Sequence, residues 1–236
     1  MKLAVCIPCV NGHLPLLIHS LKFVQAQTRA PDLIVISISS CLVNHGLDIS
    51  GSAIPTTVIT TPKKLFAGAN RNIAAAEAVK QGATHLSFFD ADDLMHPQRL
   101  ECIEHAFNTT PDLTGLIHSY LVAQKKDMAI YKGEKEIPWE PILKDFAPNV
   151  FQAGQYNKIN IIKFQQSYKR PRKGYGMGQN GHLTVLASFW EANPYVDDLA
   201  RGQDSHFSCS ILHQKKMLGY TGDILSVYMR NDAKGF

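Results

Sequence analysis

Hydrophobic and polar positions follow two different periods along the first half of the chain. Four short segments are continuously apolar or β-branched: Leu3–Ile7, Leu33–Ile38, Thr56–Thr60 and His85–Phe89. Such runs are typical of strands that are buried on both faces of a parallel sheet. Between them, apolar side chains recur every three or four residues, which indicates helices. The alternation predicts an α/β fold with a mostly parallel central sheet flanked by helices.

Three helices are predicted in this half. Apolar positions in Leu14–Val24 share one helical face. The segment Ala69–Gln81 is rich in alanine and is followed by Gly82, a residue that favours the end of a helix. Pro97 suits the first turn of a third helix. Since ligands of α/β sheets bind beyond the carboxyl ends of the strands, three segments are candidate binding loops: Pro8–His13, Ser37–Cys41 and Asp90–Asp93.

The second half has a weaker pattern. Gly115–Gln124 and Leu183–Phe189 are predicted strands, and Asp204–Leu218 is a predicted helix. The polar, proline-containing segment Lys125–Asn149 is expected to be a long surface excursion. A basic, glycine-rich stretch runs over Lys169–Gly181. The chain has 236 residues and no evident linker, so a single domain is expected.

Composition excludes several classes of protein. With 45% hydrophobic and 19% charged residues, the chain is expected to be folded. The net charge of +4, from 24 basic and 20 acidic residues, is too small to predict a nucleic-acid-binding protein. No apolar run reaches the roughly 18 residues of a membrane span. The N-terminus lacks a signal-peptide pattern, so a cytoplasmic location is expected.

The five cysteines do not suggest a disulfide framework, because their number is odd and the chain is large. Cys6 and Cys9 have the spacing of a redox or zinc pair. A zinc site would need a second pair at fixed spacing, and none follows. We therefore expect reduced, structural cysteines at the end of the first strand.

The segment Asp90-Ala-Asp-Asp93 carries the strongest chemical signal. It directly follows a predicted apolar strand. Three carboxylates in four residues repel one another unless a positive charge lies between them, and Mg²⁺ and Mn²⁺ prefer carboxylate oxygens. The cluster is a candidate metal and diphosphate site. The alternative is a solvated loop that caps the following helix.

The order of the motifs resembles that of the family 2 glycosyltransferases, which have the GT-A fold. Phe66–Asn72 is similar to the family's Gly-x-x-x-Arg-Asn helix start, and the strand and Asp90–Asp93 that follow are similar to its D-x-D motif. Cys6–Asn11 looks like the family's first strand and turn, and the helix that ends near Gln25–Thr28 looks like its first helix. Tyr195–Phe207 looks like the family's late Gly-Glu-Asp motif.

The resemblance implies a single GT-A domain over residues 1–236. Residues 1–112 would bind a nucleotide-sugar donor, and residues 113–236 would bind the acceptor. The implied activity is a metal-dependent, inverting glycosyl transfer of the hexosyltransferase type, with Mn²⁺ or Mg²⁺ as the cofactor. The implied donor is a nucleotide-diphosphate sugar, with UDP as the first choice and GDP or dTDP as alternatives. The implied acceptor is a hydroxyl of a glycan or glycoconjugate.

The resemblance also implies a role for individual residues. Asp92 would coordinate the metal, Asp90 would reach the ribose or the metal shell, and Arg71 would contact the nucleotide or its diphosphate. Asp204 would be the general base, and the backbone of Pro8–Val10 would lie under the nucleoside. The full set of implied donor-binding residues is Pro8, Val10, Ser39, Arg71, Asp90, Ala91 and Asp92, with Asp92 and Asp90 as metal ligands and Asp204 as the catalytic residue.

The sequence departs from the family pattern at three places. The second strand usually ends in an acidic turn that binds uracil, but Ser37–Ser40 contains no carboxylate. Serine or backbone groups would replace that acid, or the base would differ. Gln203 replaces a glutamate, and His206 stands where another acid is common. These changes leave open a degenerate member that binds a nucleotide or glycan without turnover. A sugar nucleotidyltransferase is a further alternative, but Pro8–Gly12 is not its glycine- and arginine-containing loop.

Other side chains have both a functional and an ordinary interpretation. His206 and His213 are a possible source of a third metal ligand or are surface histidines. Lys169–Lys173 is a candidate lid over a diphosphate or a solvated loop. Trp190 and Trp139 stack on a sugar ring in one interpretation and pack in the core in the other.

Overall fold

The computed structural model describes residues 1–42, 46–49, 51–123, 137, 139, 141–142, 146, 148–151, 175–177 and 182–229. These residues form one sheet of ten strands with helices on both faces. The strand order is β3-β2-β1-β4-β9-β6-β10-β5, with β7 paired to β10 and β8 paired to β6.

The first half of the sheet consists of four parallel strands. They are β1 (Leu3–Val10), β2 (Leu33–Ser39), β3 (Thr56–Thr61) and β4 (His85–Phe88). In register, β1 lies between β2 and β4, and β3 forms the edge beside β2. Every residue of β2 is buried, which explains its continuous apolar sequence. The predicted parallel arrangement is confirmed here.

The second half of the sheet mixes both directions. Strand β9 (Leu183–Leu186) lies antiparallel between β4 and β6 (Leu113–Ala123). Strand β10 (Met217–Met229) runs parallel to β6 with shifts in register. Three short strands pair antiparallel with these two long ones: β5 (Leu94–Met95), β7 (Asn149–Phe151) and β8 (Tyr175–Met177).

Two hydrophobic cores cover the two faces of the sheet, because alternate side chains of β1 point in opposite directions. Helices α1 (Leu14–Gln25) and α3 (Arg99–Thr109) pack on one face. On the other face lie α2 (Ala67–Lys80), α4 (Ala187–Ala192) and α5 (Gln203–His213). Alanine side chains of α2 let its backbone approach the sheet closely. All five cysteines, each within the described ranges, are buried and free, as expected from the sequence.

Two predicted boundaries in the second half are wrong. The strand predicted over Leu183–Phe189 ends at Leu186, and helix α4 follows. The helix predicted over Asp204–Leu218 ends at His213, because Lys215 adopts a left-handed conformation with φ of 56°. Leu218 then belongs to β10, a strand that the sequence pattern did not predict. Within the described residues, no helix has the length and apolar character that a membrane span requires.

Candidate active site

A cavity of about 460 Å³ opens at the carboxyl ends of β1, β2 and β4. Segments distant in sequence meet there, because parallel strands all end at the same edge of the sheet. Helix α2 begins at this cavity, and so does α5 from the second half of the chain. The residues that line it are Pro8, Cys9, Val10, His13, Ser39, Lys64, Leu65, Ala67, Asn70, Arg71, Asp90, Ala91, Asp92, Gln203, Asp204 and Tyr228.

Every residue predicted for the site lines this one cavity. These residues are Pro8, Val10, Ser39, Arg71, Asp90, Ala91, Asp92 and Asp204. Sequence reasoning missed Lys64, Leu65 and Tyr228, which also line the cavity. Tyr228 was missed because β10 was not predicted. Lys64 precedes a helix that was predicted, but an exposed lysine in a loop gives no sequence signal.

Asn70 fixes the floor of the cavity. Its side-chain amide donates to the carbonyl of Cys9 over 2.7 Å, and its oxygen accepts a hydrogen bond from the Ser37 hydroxyl. Asn70 is only 4% exposed. The start of α2 is therefore attached to the ends of both β1 and β2, so the helix N-terminus is held over the strand ends.

Arg71 forms an ion pair with Asp90. Its Nη2 donates to Asp90 Oδ1, and the guanidinium lies 5.9 Å from the centre of the Tyr195 ring. Burial disfavours the charge of Arg71, but Asp90, Tyr195 and Asp204 outweigh it, so the pKa is raised. Its Nε and Nη1 have no hydrogen-bond partner among the described residues. The cavity thus contains a permanent positive charge next to the acidic loop.

The Ser20 hydroxyl of α1 contacts the backbone of the acidic loop, Asp90–Asp93. The Ser20 hydroxyl lies 2.9 Å from the carbonyl of Ala91 and 2.8 Å from that of Asp93. Within the loop, the Asp93 amide donates to the Asp90 carbonyl over 3.1 Å. Asp90 and Asp92 are partly exposed and line the cavity. These contacts fix the backbone from which both carboxylates project.

The third carboxylate of the loop does not line the cavity. Asp93 is fully buried, accepts a hydrogen bond from the Met229 amide over 3.1 Å, and lies 3.4 Å from His182 Nε2. Burial raises its pKa well above the usual range, and Asp92 and Asp90 add to this effect. The three acids that are adjacent in sequence therefore divide into a pair at the cavity and one that ties the loop to β10.

Asp204 lies in the first turn of α5, where a carboxylate is favoured by the helix dipole. Gly202, the residue before the helix, has φ of 75°, a conformation that suits glycine. Asp204 is half-buried and lines the cavity together with Gln203. Its negative charge contributes to the raised pKa of Arg71, so these two groups are close enough to interact.

The other functional candidates lie elsewhere. His206 and His213 are exposed and line a separate depression on α5, which agrees with surface histidines. Trp190 is buried in the core and donates to Asn72 through Nε1, and Trp139 packs against His96. Both tryptophans therefore have the packing role. The segment Lys169–Lys173 lies outside the described residues.

The donor set at the cavity fits a hard divalent cation. Asp92 and Asp90 supply carboxylate oxygens, which Mg²⁺ and Mn²⁺ prefer. No group of three or more histidine, cysteine or acidic side chains within the described ranges is arranged as a metal site. Two carboxylates nevertheless match the usual mode of Mg²⁺, which binds through one or two carboxylates together with substrate phosphates.

Residues 4–165 match the family model described as glycosyl transferase family 2. The chain belongs to this family. A comparison with curated proteins finds no match. The membership agrees with the fold and with the position of the acidic loop beyond β4.

Solved structures with the same architecture are GT-A glycosyltransferases. S. aureus TarS residues 1–349 in complex with UDP-GlcNAc match with a TM-score of 0.65 and 13% identity over 99% of this chain. The mannosyltransferase PcManGT from Pyrobaculum calidifontis, in complex with GDP-Man and Mn²⁺, matches with a TM-score of 0.57 and 13% identity over 99% of this chain. The chain spans 60% of the TarS 1–349 chain and 57% of the PcManGT chain. These likenesses define the fold as GT-A.

Proposed function

We propose that this family 2 chain is a metal-dependent, inverting glycosyltransferase. It would move a sugar from a nucleotide-diphosphate donor to a hydroxyl of a glycan or glycoconjugate. One observation carries the proposal: Asp90 and Asp92, the Arg71 guanidinium and Asp204 all line one cavity. This reaction needs a cation site, an anion site and a separate carboxylate base. The two loop carboxylates, Arg71 and Asp204 would supply these in that order.

The diphosphate of the donor is proposed to bind at the start of α2. Ala67, Asn70 and Arg71 from this helix line the cavity, and no acidic residue occurs in its first turn. The free amides and the dipole of a helix N-terminus favour anions. Arg71 adds a full positive charge there. Lys64, which lines the same cavity, is proposed to assist from the preceding loop.

Asp92, with Asp90 beside it, is proposed to hold Mn²⁺ or Mg²⁺. When bound, such an ion neutralises the charge that develops on a departing diphosphate. The contribution of the protein is to fix the two carboxylates through the Ser20 contacts with the loop backbone. Asp90, paired with Arg71, is also proposed to contact the donor ribose.

Asp204 is proposed to accept the proton of the attacking hydroxyl. A positioned carboxylate base typically contributes about 10²- to 10⁴-fold to the rate. Attack by the acceptor in a single displacement inverts the anomeric centre. A donor-binding lobe over residues 1–112 and an acceptor-binding lobe over residues 113–236 are proposed with it. Residues 1–112 supply most of the cavity lining, and the second segment supplies Gln203, Asp204 and Tyr228.

A UDP-sugar is the first proposed donor. The neighbouring TarS structure contains UDP-GlcNAc, and PcManGT contains GDP-Man with Mn²⁺. The nucleoside is proposed to lie on the backbone of Pro8 and Val10 beside Ser39, all of which line the cavity. Because Ser37–Ser40 contains no carboxylate to bind uracil, GDP- and dTDP-sugars are retained as alternatives.

The missing carboxylate also favours a second candidate, a degenerate member that binds a nucleotide or a glycan without turnover. Calorimetry separates the possibilities in its first step. UDP, GDP, dTDP, CDP and ADP are titrated with and without Mn²⁺ into the wild-type chain, Asp92→Ala and Glu191→Ala. Glu191 is an exposed carboxylate on α4 outside the cavity and serves as the matched control. We expect one nucleotide to bind in the presence of metal and to lose affinity in Asp92→Ala only.

Turnover of the corresponding nucleotide sugar then tests the base. Asp204→Asn is expected to bind the nucleotide normally and to lose about 10²- to 10⁴-fold in turnover. Binding without any turnover in the wild-type chain would support the degenerate member. If no nucleotide binds under any metal condition, the glycosyltransferase is wrong, and a degenerate member could bind only a glycan.

A further inference from the structure

We propose that Asn72 is a positioning residue, which holds the loop before α5 and thereby fixes Asp204 at the cavity. The inference rests on the function proposed above, because it assigns a purpose to the position of the base. It concerns a residue that lies outside the cavity lining. Its side chain joins α2 to the loop formed by residues 193–202.

The Asn72 amide uses its whole hydrogen-bonding capacity on the second half of the chain. Its Oδ1 accepts from the Tyr195 amide and from Trp190 Nε1, both over 3.0 Å. Its Nδ2 donates to the Tyr195 carbonyl and to Asp197 Oδ1, both over 2.8 Å. A side chain with two donors and two acceptor sites, all paired in this way, specifies one arrangement of the partner backbone.

Close backbone packing supports the same attachment. A Cβ added at Gly68 would lie 2.8 Å from the carbonyl oxygen of Val196. Glycine at this position therefore lets the first turn of α2 contact the loop directly. Gly68 and Asn72 are four residues apart, so they lie on the same face of α2. That face is the surface on which the loop rests.

Tyr195 connects the loop to α5, the helix that contains Asp204. Its ring stacks on Phe207 of α5 with centroids 4.0 Å apart and an angle of 21° between the ring planes. Phe207 lies three residues after Asp204, which is one helical turn. Tyr195 is 3% exposed and Phe207 is 1% exposed. The path from Asn72 to α5 thus runs through one buried, stacked ring.

Helix α2 also contacts the acidic loop. Arg71, the neighbour of Asn72, pairs with Asp90 and lies near the Tyr195 ring. The two adjacent residues therefore connect α2 to Asp90 on one side and to Tyr195 on the other. We infer that they set the relative position of the proposed donor site and the proposed base, which a direct displacement requires.

Hydrogen exchange tests whether Asn72 holds the loop. The Tyr195 amide lies outside helices and strands, so its hydrogen bond to Asn72 is expected to be what protects it from exchange. Asn72→Ala is expected to raise its exchange rate at least about tenfold, whereas amides of β1 keep their protection. Asn108→Ala, at an exposed position of α3, is the control and should change neither. Unchanged protection of Tyr195 in Asn72→Ala would overturn the inference.

A paired substitution tests the contact with Asp197. Asn72→Asp sets a carboxylate against that of Asp197 and removes the donor. Adding Asp197→Asn provides a new donor, so the double variant should regain part of the Tyr195 protection. A structural defect unrelated to this contact would not be rescued, and the absence of rescue would count against the specific pairing.

Turnover tests whether the attachment serves the base. With UDP-GlcNAc or GDP-mannose and Mn²⁺, Asn72→Ala should lower kcat about tenfold or more while the calorimetric Kd for the nucleotide stays within about twofold. Unchanged kcat would overturn the positioning role. Equal loss of nucleotide binding would instead indicate general damage and would also overturn it. If the wild-type chain binds no nucleotide, the proposed function fails, and only the exchange results on the loop stand.

Discussion

The buried His118 side chain provides a test of how burial affects protonation near the acidic loop. His118 lies against His182, which in turn lies beside Asp93. The His118 ring is 1% exposed, and its Nδ1–H donates to the Ser119 carbonyl over 2.9 Å. Its Nε2 has no hydrogen-bond partner within the described part of the chain. Burial, followed by the charge of Arg99, holds the pKa of His118 well below its ordinary value of 6.5. Protonation would bury a second positive charge beside Arg99.

The sign of the pH dependence follows from this lowered pKa. In the unfolded chain a histidine takes up a proton near pH 6.5, whereas the folded chain keeps His118 neutral. The contribution of neutral His118 to the free energy of unfolding is therefore present above about pH 6.5. It is lost as the pH falls toward the pKa of His118 in the folded chain. Between about pH 7.5 and 5.5, one such histidine lowers the free energy of unfolding by about 1.4 kcal/mol.

The perturbation is His118→Gln, which retains a side-chain donor but does not titrate. The free energy of unfolding is measured by urea denaturation at both pH values for the wild-type chain, His118→Gln and the control His213→Gln. His213 is exposed on α5. His118→Gln costs stability at the higher pH, but the cost should be smaller by about 1.4 kcal/mol at the lower pH.

Neighbouring groups do not change this comparison. His182 and His96 face His118, and Asp93, whose pKa is raised, titrates in the opposite sense near His182. All of them are present in every variant, so their contributions cancel. The same pH dependence in the wild-type chain and in His118→Gln would refute the reasoning. A shift of equal size in His213→Gln would refute it as well.

Three further predictions follow from packing, charge and burial. Gly115→Ala adds a Cβ 2.7 Å from Ile211 Cδ1 and should lower the free energy of unfolding by about 1–3 kcal/mol in urea denaturation; Gly222→Ala meets little resistance and should change it little. Asp90→Asn leaves the buried charge of Arg71 without its ion pair, and a loss of stability of about 2–3 kcal/mol is expected, whereas a stabilised variant would contradict this. The five buried thiols should resist a bulky disulfide reagent in the native chain and react after denaturation, because burial keeps the reagent away from the sulfur atoms. Rapid native reaction of any thiol would contradict its burial.

Local sequence decided the first half of the fold. Segments such as Leu33–Ile38 are apolar at every position because they are covered on both faces, and this produces a strong local signal. The alanine-rich α2 and its stop near Gly82 have similarly clear patterns. Three candidate loops of the site followed from the same information, since the ends of parallel strands converge whatever the details of the loops. Arg71 and Asp204 were assigned to the site only through the family resemblance.

The second half was harder because its elements depend on partners that are distant in sequence. The long strand β10 contains polar and apolar residues without strict alternation, and its pairing with β6 includes shifts in register. The helix predicted through Leu218 ended early because Lys215 adopts a left-handed conformation, which no periodicity of apolar residues indicates.

The sequence by itself determined which chemical groups are available: the acidic loop after β4, Arg71 at the start of α2, and Asp204 at the start of a late helix. Only the tertiary structure decided how they divide. It buried Asp93 beside His182 while Asp90 and Asp92 line the cavity, and it gave Asn72 four hydrogen bonds to Trp190, Tyr195 and Asp197, more than a hundred residues away. The physical reason is that burial and hydrogen-bond pairing are properties of neighbours in space, which the order of residues along the chain does not contain.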